Sequence, residues 1–252
     1  MTQRISKLEQ AVLPSKDTPK PDQIDEPHFA IYDESFAAIL GPTPSITLAI
    51  EKDWPFAHEA GIYPPSQDAV FITSNRLVDG DSSKIKISKI SRDGTTNTWS
   101  AEELPEGLVE MANGGINHGA SDDLLFCAQG SKTSRGGLVS MQTKPPYTTR
   151  TILNNYHGRA FNSPNDVVIH SDGSIWFTDP IYGYEQGFKS APQLPNQVYR
   201  FDPGTGDVRV VADGFGRPNG LCFSPDEQTL YVTDTDWIHG DGTTDDTRAS
   251  TM

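Results

Sequence analysis

The sequence predicts an all-β fold of the β-propeller type, and three features of the 252 residues lead to that fold. The chain contains 22 glycines and 19 prolines, a composition that favours turns over long helices. From Ser45 onward, short runs of β-branched and aromatic residues alternate with Asp-Gly, Pro-Asp and Gly-rich turns. The third feature is an internal repeat of about 53 residues. Short strands in regularly repeated groups are typical of propeller blades.

The first part of the chain lacks this pattern. Residues 1 to about 25 are polar and carry lysine, proline and aspartate, which predicts a loose tail. Residues 33–40 predict one short helix, which Gly41 and Pro42 would end. We therefore divide the chain into an N-terminal tail with a short helix, residues 1–43, and an incomplete propeller, residues 44–252.

Four segments of the chain open with a polar residue and continue with a strand, a turn and a second apolar strand. The opening residues, 52 to 54 positions apart, are Glu59, Asn113, Asn165 and Asn219. A further strand pair follows in the third unit, where residues 197–212 predict a hairpin. Four strands in each unit match the blade of a propeller.

The repeat is expected to bring the opening residues together. The innermost strand of each blade lines a central channel, so equivalent positions of successive blades converge. Glu59, Asn165 and Asn219 would direct one carboxylate and two amide oxygens at one point, which suits Ca²⁺ or another divalent cation. Zinc would need His or Cys ligands, which the ring lacks. The alternative is that the asparagines form turns, because Pro-Asn-Asp and Pro-Asn-Gly are common turn sequences.

The overall charge and hydropathy narrow the range of functions. The chain has 34 acidic and 20 basic side chains, and this net charge of −14 disfavours nucleic acid as a partner. No apolar run approaches the roughly 20 residues of a membrane span, and residues 1–10 lack the apolar core of a secretory signal. We expect a cytoplasmic protein without a membrane partner. Cys127 and Cys222 lie in apolar segments and are expected to be buried free thiols.

Several of these segments resemble a known family. Residues 162–183, which include Ser-Pro-Asn-Asp-Val-Val and Ile-Trp-Phe-Thr-Asp-Pro, resemble the signature stretch of the senescence-marker-protein/gluconolactonase/regucalcin-like lactonases. Residues 216–226 and 231–234 resemble the following blade. Residues 124–130 and 56–59 are most similar to the fungal lactonohydrolase branch. The resemblance extends from about residue 44 to the end of the chain.

The resemblance implies a six-bladed propeller that holds a divalent metal, usually Ca²⁺, and hydrolyses sugar-type lactones. By its motifs, Glu59 matches the metal carboxylate of the first blade, and Asn165 and Asn219 match two asparagines of the site. Asn113 and Asp166 fall where the family has residues close to the metal or the substrate. Tyr182 follows the Thr-Asp-Pro turn, at a rim position where it could touch substrate. The metal would act as a Lewis acid and acidify water.

The chain departs from the family pattern at the general base. The resemblance implies that the general base of the family is an Asp in a Pro-Asp-Gly segment of a later blade. In this chain the next repeat position would fall at about residue 272, after Met252. Only about four blades are therefore expected, with weak calcium binding and impaired hydrolysis of gluconolactone or pantoyl-lactone. Asp166 lies beside a proposed ligand and is a better replacement base than Asp179 or Asp234. Those two are expected to fix turns by bonding backbone amides.

Two further expectations and two alternatives remain from the sequence. His58 should point away from the channel, since neighbouring residues of a strand alternate. The acidic segment 234–246 lacks the pattern of an EF-hand and should be a solvated loop. The first alternative function is a non-catalytic calcium-binding or protein-interaction propeller. The second is a condensing enzyme similar to strictosidine synthase, which the Glu/Asn ring and the missing signal peptide disfavour.

Overall fold

The computed structural model describes residues 5–7, 29–31, 33–80, 82–119 and 122–252, and the chain divides into two compact units, Met1–Glu51 and Lys52–Met252. Most of the tail predicted for residues 1–25 lies outside the described residues. In the first unit, strand β1 (Ile5–Lys7) pairs in parallel with β2 (Phe29–Ile31), a pairing that the sequence analysis did not predict.

The short helix expected over residues 33–40 is α1, Glu34–Leu40. The Asp33 carboxylate caps its first turn by accepting a hydrogen bond from the Ser35 backbone N–H at 2.8 Å. Gly41 ends the helix with a φ of 73°, a conformation that glycine adopts without a steric penalty. The sequence signals at both helix ends thus have a direct structural cause.

The second unit consists of successive antiparallel sheets, in each of which the strands pair in chain order. The first blade has the order β3-β4-β7-β8, and the hairpin β5-β6 is inserted between its two middle strands. Its strands are β3 (Glu59–Ile62), β4 (Ala69–Thr73), β5 (Leu77–Asp79), β6 (Ser82–Lys84), β7 (Ile87–Arg92) and β8 (Trp99–Glu103).

Two further four-stranded blades and one three-stranded sheet follow. The second blade is β9 (Ala112–His118), β10 (Asp123–Gly130), β11 (Arg135–Met141) and β12 (Thr149–Leu153). The third is β13 (Val167–Ile169), β14 (Ile175–Asp179), the short helix α2 (Tyr182–Glu185), β15 (Gln197–Asp202) and β16 (Asp207–Ala212). The last sheet is β17 (Pro218–Phe223), β18 (Leu230–Thr235) and β19 (Ser250–Thr251). The prediction of an all-β propeller with about four blades is confirmed.

The core lies between the blades, and strand β10 shows how the sequence builds it. Leu124 and Phe126 pack in a cluster with Phe71 of the first blade. Leu125 and Cys127, which alternate with them, pack in a second cluster with residues of the third blade such as Phe177. Because side chains alternate between the two faces of a strand, a continuous apolar run can be buried on both faces. One strand therefore joins three blades.

The cysteines differ from each other in environment. Cys127 is fully buried in β10, whereas Cys222 is exposed, and both are free thiols. The prediction that both are buried was wrong for Cys222. In β17 the buried neighbour is Leu221, so the alternation along the strand turns Cys222 outward.

Two carboxylates fix the turns that lead into the inner strands of the third and fourth sheets. Asp179 accepts hydrogen bonds from the backbone N–H groups of Asn162 and Ser163 at 2.9 and 2.8 Å. Asp234 does the same for Gly216 and Arg217 at 2.9 and 2.7 Å. The prediction that these aspartates fix turns is confirmed. In each case the anchored segment continues, two or three residues later, into an asparagine of the repeat.

The described α-helices have seven and four residues, a 3-10 helix covers Pro65–Gln67, and no described helix is long and apolar enough to cross a membrane.

We predict that Asp179 makes stability decrease as pH rises. Complete burial raises the pKa of this carboxyl to about 7, above its ordinary value. The folded protein therefore binds more protons than the unfolded chain between those two values, and deprotonation penalises the folded state. From about pH 5.5 to about pH 7.5, urea denaturation with a chelator present should show a loss of about 2 kcal/mol in the free energy of unfolding.

The substitution Asp179→Asn should remove that part of the pH dependence, because an amide does not titrate in this range. A variant that keeps the full wild-type decrease over the same interval would show that the pH dependence comes from another group.

Candidate functional site

A cavity of about 360 Å³ opens where the inner strands of the four sheets begin. Its walls contain all four opening residues of the repeat, Glu59, Asn113, Asn165 and Asn219, together with Tyr182. The other lining residues are His58, Asn75, Arg76, Ile85, Gln129, Gln186, Ile238, His239, Gly240 and Gly242. Five of the six site residues predicted from the sequence thus meet at one cavity, although they are spread over 160 positions of the chain.

Glu59 is the carboxylate of the ring. It opens β3 opposite Thr73, and its side chain is 31% exposed. Burial raises the pKa of Glu59 to about 6, and the nearby charge of Asp166 adds to the rise. A cation bound beside Glu59 would favour the ionised form and oppose both effects.

Asn165 is the most buried amide of the ring, with 4% of its surface exposed. Its backbone is fixed from two sides, because its N–H donates to Thr178 O at 2.9 Å and its carbonyl accepts from Gly114 N at 2.8 Å. Its side-chain Oδ1 is buried and accepts no hydrogen bond from any described residue. An unsatisfied buried acceptor costs about 1–3 kcal/mol, so this oxygen is suited to binding a ligand.

Asn219 and Tyr182 meet at the cavity wall formed by the third and fourth sheets. The Asn219 Nδ2 donates to the Tyr182 hydroxyl at 3.4 Å, and the same hydroxyl hydrogen-bonds Thr235 Oγ1. The Asn219 backbone carbonyl accepts from Thr178 Oγ1 at 2.7 Å. Because Nδ2 of Asn219 is directed at Tyr182, the side-chain oxygen of Asn219 is available to bind a ligand.

Asn113 is 93% buried, and its backbone carbonyl accepts from Thr73 Oγ1 at 3.2 Å, which ties the first blade to the second. Near it, Gln129 Nε2 donates to Met111 O at 3.4 Å. The side chains of Asn113 and Gln129 supply further amide groups to the cavity wall.

Asp166 is the one predicted site residue that does not line the cavity. Its Oδ1 accepts from Val167 N at 2.9 Å and its Oδ2 from Leu221 N at 3.0 Å, so the carboxylate joins the third and fourth sheets. Burial raises its pKa, while these hydrogen bonds oppose the rise. Gly114 makes the close packing possible, since a Cβ there would lie 2.7 Å from Asp166 Oδ1. A substrate or base role for Asp166 stays a prediction.

His58 lines the cavity, so the expectation that it points away from the channel was wrong. Its Nε2 lies 3.9 Å from Glu59 Oε1. His58 precedes the strand, and Ala60 and Gly61 have positive φ values of 72° and 69° beside a break in register. The regular alternation on which the expectation depended does not hold at such a bulge. Burial lowers the pKa of His58.

The sequence analysis missed a buried ionic network at the cavity edge. Arg217, 93% buried, donates to Glu185 Oε1 at 2.6 Å and to Asp236 Oδ1 at 2.9 Å. His239 Nδ1 lies 2.9 Å from the same guanidinium, and Gly240 N donates to Glu185 Oε2 at 2.6 Å. The network fastens α2 and the segment after β18 to the fourth sheet.

The acidic segment 234–246 is therefore only partly a solvated loop. Asp236 pairs with Arg217 and also with Arg248 Nε at 2.9 Å, and its side chain is only 13% exposed. Gly216 is required beside it, because a Cβ at that position would overlap the Asp236 carboxylate. Asp241 and Asp245 do behave as expected, since Asp241 is exposed, Asp245 is partly exposed, and they cap turns at Thr243 and Thr247. A charge count along the sequence does not distinguish the two kinds of aspartate.

The donor chemistry of the ring fits a hard cation. Within the described ranges, no three His, Cys, Asp or Glu side chains cluster as metal ligands, so a zinc-type site is not formed there. One carboxylate, Glu59, converges with the amide side chains of Asn113, Asn165 and Asn219, and one of their oxygens is buried without a partner. Calcium accepts such mixed carboxylate and amide oxygens in flexible geometry.

Comparison with known proteins gives this cavity a family context. Residues 70–237 match the family model described as the SMP-30/gluconolactonase/LRE-like region. The chain is 36% identical over 215 residues to the lactonohydrolase oryL of Aspergillus oryzae, an alignment that covers 82% of this chain and 47% of that protein. It is 34% identical over 140 residues to a gluconolactonase of Zymomonas mobilis, covering 54% of this chain and 37% of the relative.

Among solved structures, a gluconolactonase from Xanthomonas campestris superposes with a TM-score of 0.57 at 26% identity, covering 75% of this chain and 58% of that one. The chain thus spans about half the length, or less, of the curated relatives that it matches. The family model nevertheless covers well over half of the 252 residues, from β4 to the end of β18, and leaves out β3 and β19. The chain belongs to the SMP-30/gluconolactonase/LRE-like family.

Proposed function

We propose that this chain carries the metal-binding face of a calcium-dependent hydrolase of sugar-type lactones, of the gluconolactone or pantoyl-lactone class. The observation that carries the proposal is the convergence of Glu59, Asn165 and Asn219 on one cavity, where the buried Asn165 Oδ1 has no hydrogen-bond partner among the described residues. The relatives named lactonohydrolase and gluconolactonase support the reaction class.

The proposed ligands are the carboxylate of Glu59 and the side-chain oxygens of Asn165 and Asn219. A dication bound there would polarise the lactone carbonyl and lower the pKa of a water molecule. The chain's own contribution is to fix these oxygens in place: backbone hydrogen bonds hold Asn165, and Tyr182 and Thr178 hold Asn219. Oxygens held before the ligand arrives need no reorganisation when charge develops.

The remaining walls suit a neutral, hydroxylated substrate. Asn75, Gln129 and Gln186 offer amide groups that can hydrogen-bond hydroxyls, and the Tyr182 hydroxyl lies on the same cavity surface. Side chains such as Ile85 and Ile238 contribute apolar surface beside these groups. The amide and hydroxyl groups favour a sugar-type lactone over a fatty ester.

The proposal includes low turnover, and the reason lies at Asp166. Both of its oxygens already accept backbone N–H groups, so its carboxylate is poorly placed to take a proton from water in the cavity. Glu59, the carboxylate that does line the cavity, is assigned to the metal. The same observation favours the second candidate function, a calcium-binding propeller without catalysis.

Calcium titration tests the metal centre. Glu59→Gln should weaken calcium binding at least tenfold in calorimetry, because the site loses its one charged ligand while its shape is kept. The matched control is Glu106→Gln, which removes an exposed carboxylate paired with Lys84. Equal affinity of wild type and Glu59→Gln would contradict the assignment.

A hydrolysis assay separates the two candidate functions. With D-glucono-δ-lactone in a pH-stat, we expect acid release slightly faster than the spontaneous opening of the lactone, and this increase should require calcium and be lost in Asn219→Ala. Calcium binding without hydrolysis of either lactone class would favour the non-catalytic propeller. Hydrolysis at the same rate in a chelator would contradict metal dependence, and turnover that is fast in calcium would contradict the low-turnover proposal.

The Arg217 network supports the wall that carries Tyr182. Replacing Arg217 by Met should destabilise the fold by about 3 kcal/mol in denaturant unfolding, because the buried Glu185 would lose its guanidinium partner and Asp236 would keep only the more exposed Arg248. The matched control is Arg200→Met, which breaks a more exposed pair with Asp172 and should cost less than about 1 kcal/mol. Equal losses in the two variants would show that the network does not stabilise this wall.

A further inference from the structure

A second cavity, of about 270 Å³, opens beside the β10–β11 turn. Three chain segments form it: the turn residues 131–135, residues 158–162 before β13, and residues 189–193 between α2 and β15. It shares no lining residue with the cavity of the Glu/Asn ring. The second cavity is therefore a separate place for a ligand to bind.

The charge of this cavity is opposite to that of the chain. Its lining contains the cations Lys132, Arg135 and Lys189 and no carboxylate, whereas the whole chain carries a net charge of −14. Within the described part of the chain, none of the three side chains makes an ion pair or hydrogen bond through its charged group. Asp179 and Glu110, which are not lining residues, act electrostatically on Lys189, so Lys132 and Arg135 supply the excess positive charge that attracts an anion to this concave surface.

Lys189 is the central cation, because it is 92% buried. Burial lowers the pKa of its ammonium, and the charges of Asp179 and Glu110 oppose that effect. Its stem lies against Gly183, where a Cβ would be only 2.5 Å from Lys189 Cγ. The backbone N–H of Lys189 donates to Gly183 O at 2.9 Å, so the lysine is held to α2 at both its backbone and its stem.

Asn162 supplies a second, independent feature of the cavity. Its Nδ2 is surrounded by three backbone carbonyls, those of Leu194 at 3.0 Å and of Asp179 and Pro195 at 3.3 Å. That arrangement fixes the amide orientation, because a flipped side chain would put its oxygen against the same carbonyls. The Oδ1 is buried and has no hydrogen-bond donor among the described residues. Asn162 Oδ1 is therefore an acceptor that a donor group of a ligand could satisfy.

We propose that this second cavity binds a small hydroxycarboxylate, with the carboxylate on Lys189, Lys132 and Arg135 and a hydroxyl group on Asn162 Oδ1. Guanidinium and ammonium groups both make strong charge-assisted hydrogen bonds to carboxylates. The donor for Asn162 must be neutral, since an ammonium group would be repelled by three neighbouring cations. An amino acid is thereby disfavoured, and a hydroxyl donor fits.

The inference does not require that this chain hydrolyses lactones, since it depends on the charge and donors of the second cavity alone. Hydroxycarboxylates are nevertheless the class of compound that lactone hydrolysis releases. Binding assays without turnover keep the two proposals distinguishable, because a failed hydrolysis assay leaves this cavity's ligand binding unaffected.

The test is calorimetric titration of the full chain with sodium D-gluconate in the presence of a chelator. We expect saturable binding with a Kd of about 1 mM or lower. D-Glucitol, which has the hydroxyls without the carboxylate, and acetate, which has the carboxylate without hydroxyls, should bind at least tenfold more weakly. Inorganic phosphate should also bind more weakly, because it lacks a carbon-borne hydroxyl to reach Asn162.

Variants locate the binding site. Lys189→Met keeps the apolar stem and should weaken gluconate binding at least tenfold. The double variant Lys132→Gln, Arg135→Gln changes two exposed side chains and should weaken binding to a similar extent without affecting folding. Lys144→Gln, an exposed lysine outside both cavities, and Glu59→Gln, in the first cavity, are the matched controls and should bind as wild type.

Three results would overturn the proposal. The first is the absence of saturable binding of gluconate up to about twenty times the expected Kd. The second is phosphate or glucitol binding as tightly as gluconate, which would indicate a simple anion or sugar site. The third is a loss of binding in Glu59→Gln with none in the Lys132/Arg135 double variant, which would move the ligand to the first cavity.

Discussion

The structure depends on one repeated interaction, in which an aspartate near the end of a second strand accepts two backbone N–H groups from the segment leading into the first. Asp179 anchors residues 162–163, and Asp234 anchors residues 216–217, which are 54 positions later. Asn165 and Asn219 follow at the same distance from their anchors. The two carboxylates therefore fix the backbone that leads to Asn165 and Asn219. The positions of these site asparagines depend on the hydrogen bonds that hold the preceding turns.

Hydrogen bonds between the third and fourth sheets keep Asn165 and Asn219 in register with each other. Asp166 accepts from Leu221 N, and Thr178 Oγ1 donates to Asn219 O while it accepts from Asp166 N at 3.1 Å. The apolar clusters on both faces of β10 supply the burial energy between blades. Apolar packing does not determine which oxygen atoms face the cavity. The directional hydrogen bonds between the sheets do so.

Structural features that recur in several blades were predicted correctly from the sequence, whereas features that occur in only one blade were missed or misplaced. The spacing of Glu59, Asn113, Asn165 and Asn219 was sufficient to predict both the blades and a common cavity. The pairing of Arg217 with Asp236 has no counterpart in another blade, and it brings together loop residues whose conformation no local pattern specifies. His58 was misplaced because a bulge at Ala60 and Gly61 interrupts the alternation, and Cys222 because an apolar context does not indicate which strand face is covered.

The segment between β14 and β15 links the two cavities through one glycine. Tyr182 and Gln186 line the first cavity, and Lys189 belongs to the second. Gly183 lies between them and allows the Lys189 stem to pack against α2, where any side chain would force the lysine away. Since Tyr182 also contacts Asn219, a ligand that moves Lys189 acts on the same short helix that positions a proposed metal ligand. Coupling between the cavities would require no long pathway, because Tyr182 of the first cavity and Lys189 of the second both belong to the short segment between β14 and β15.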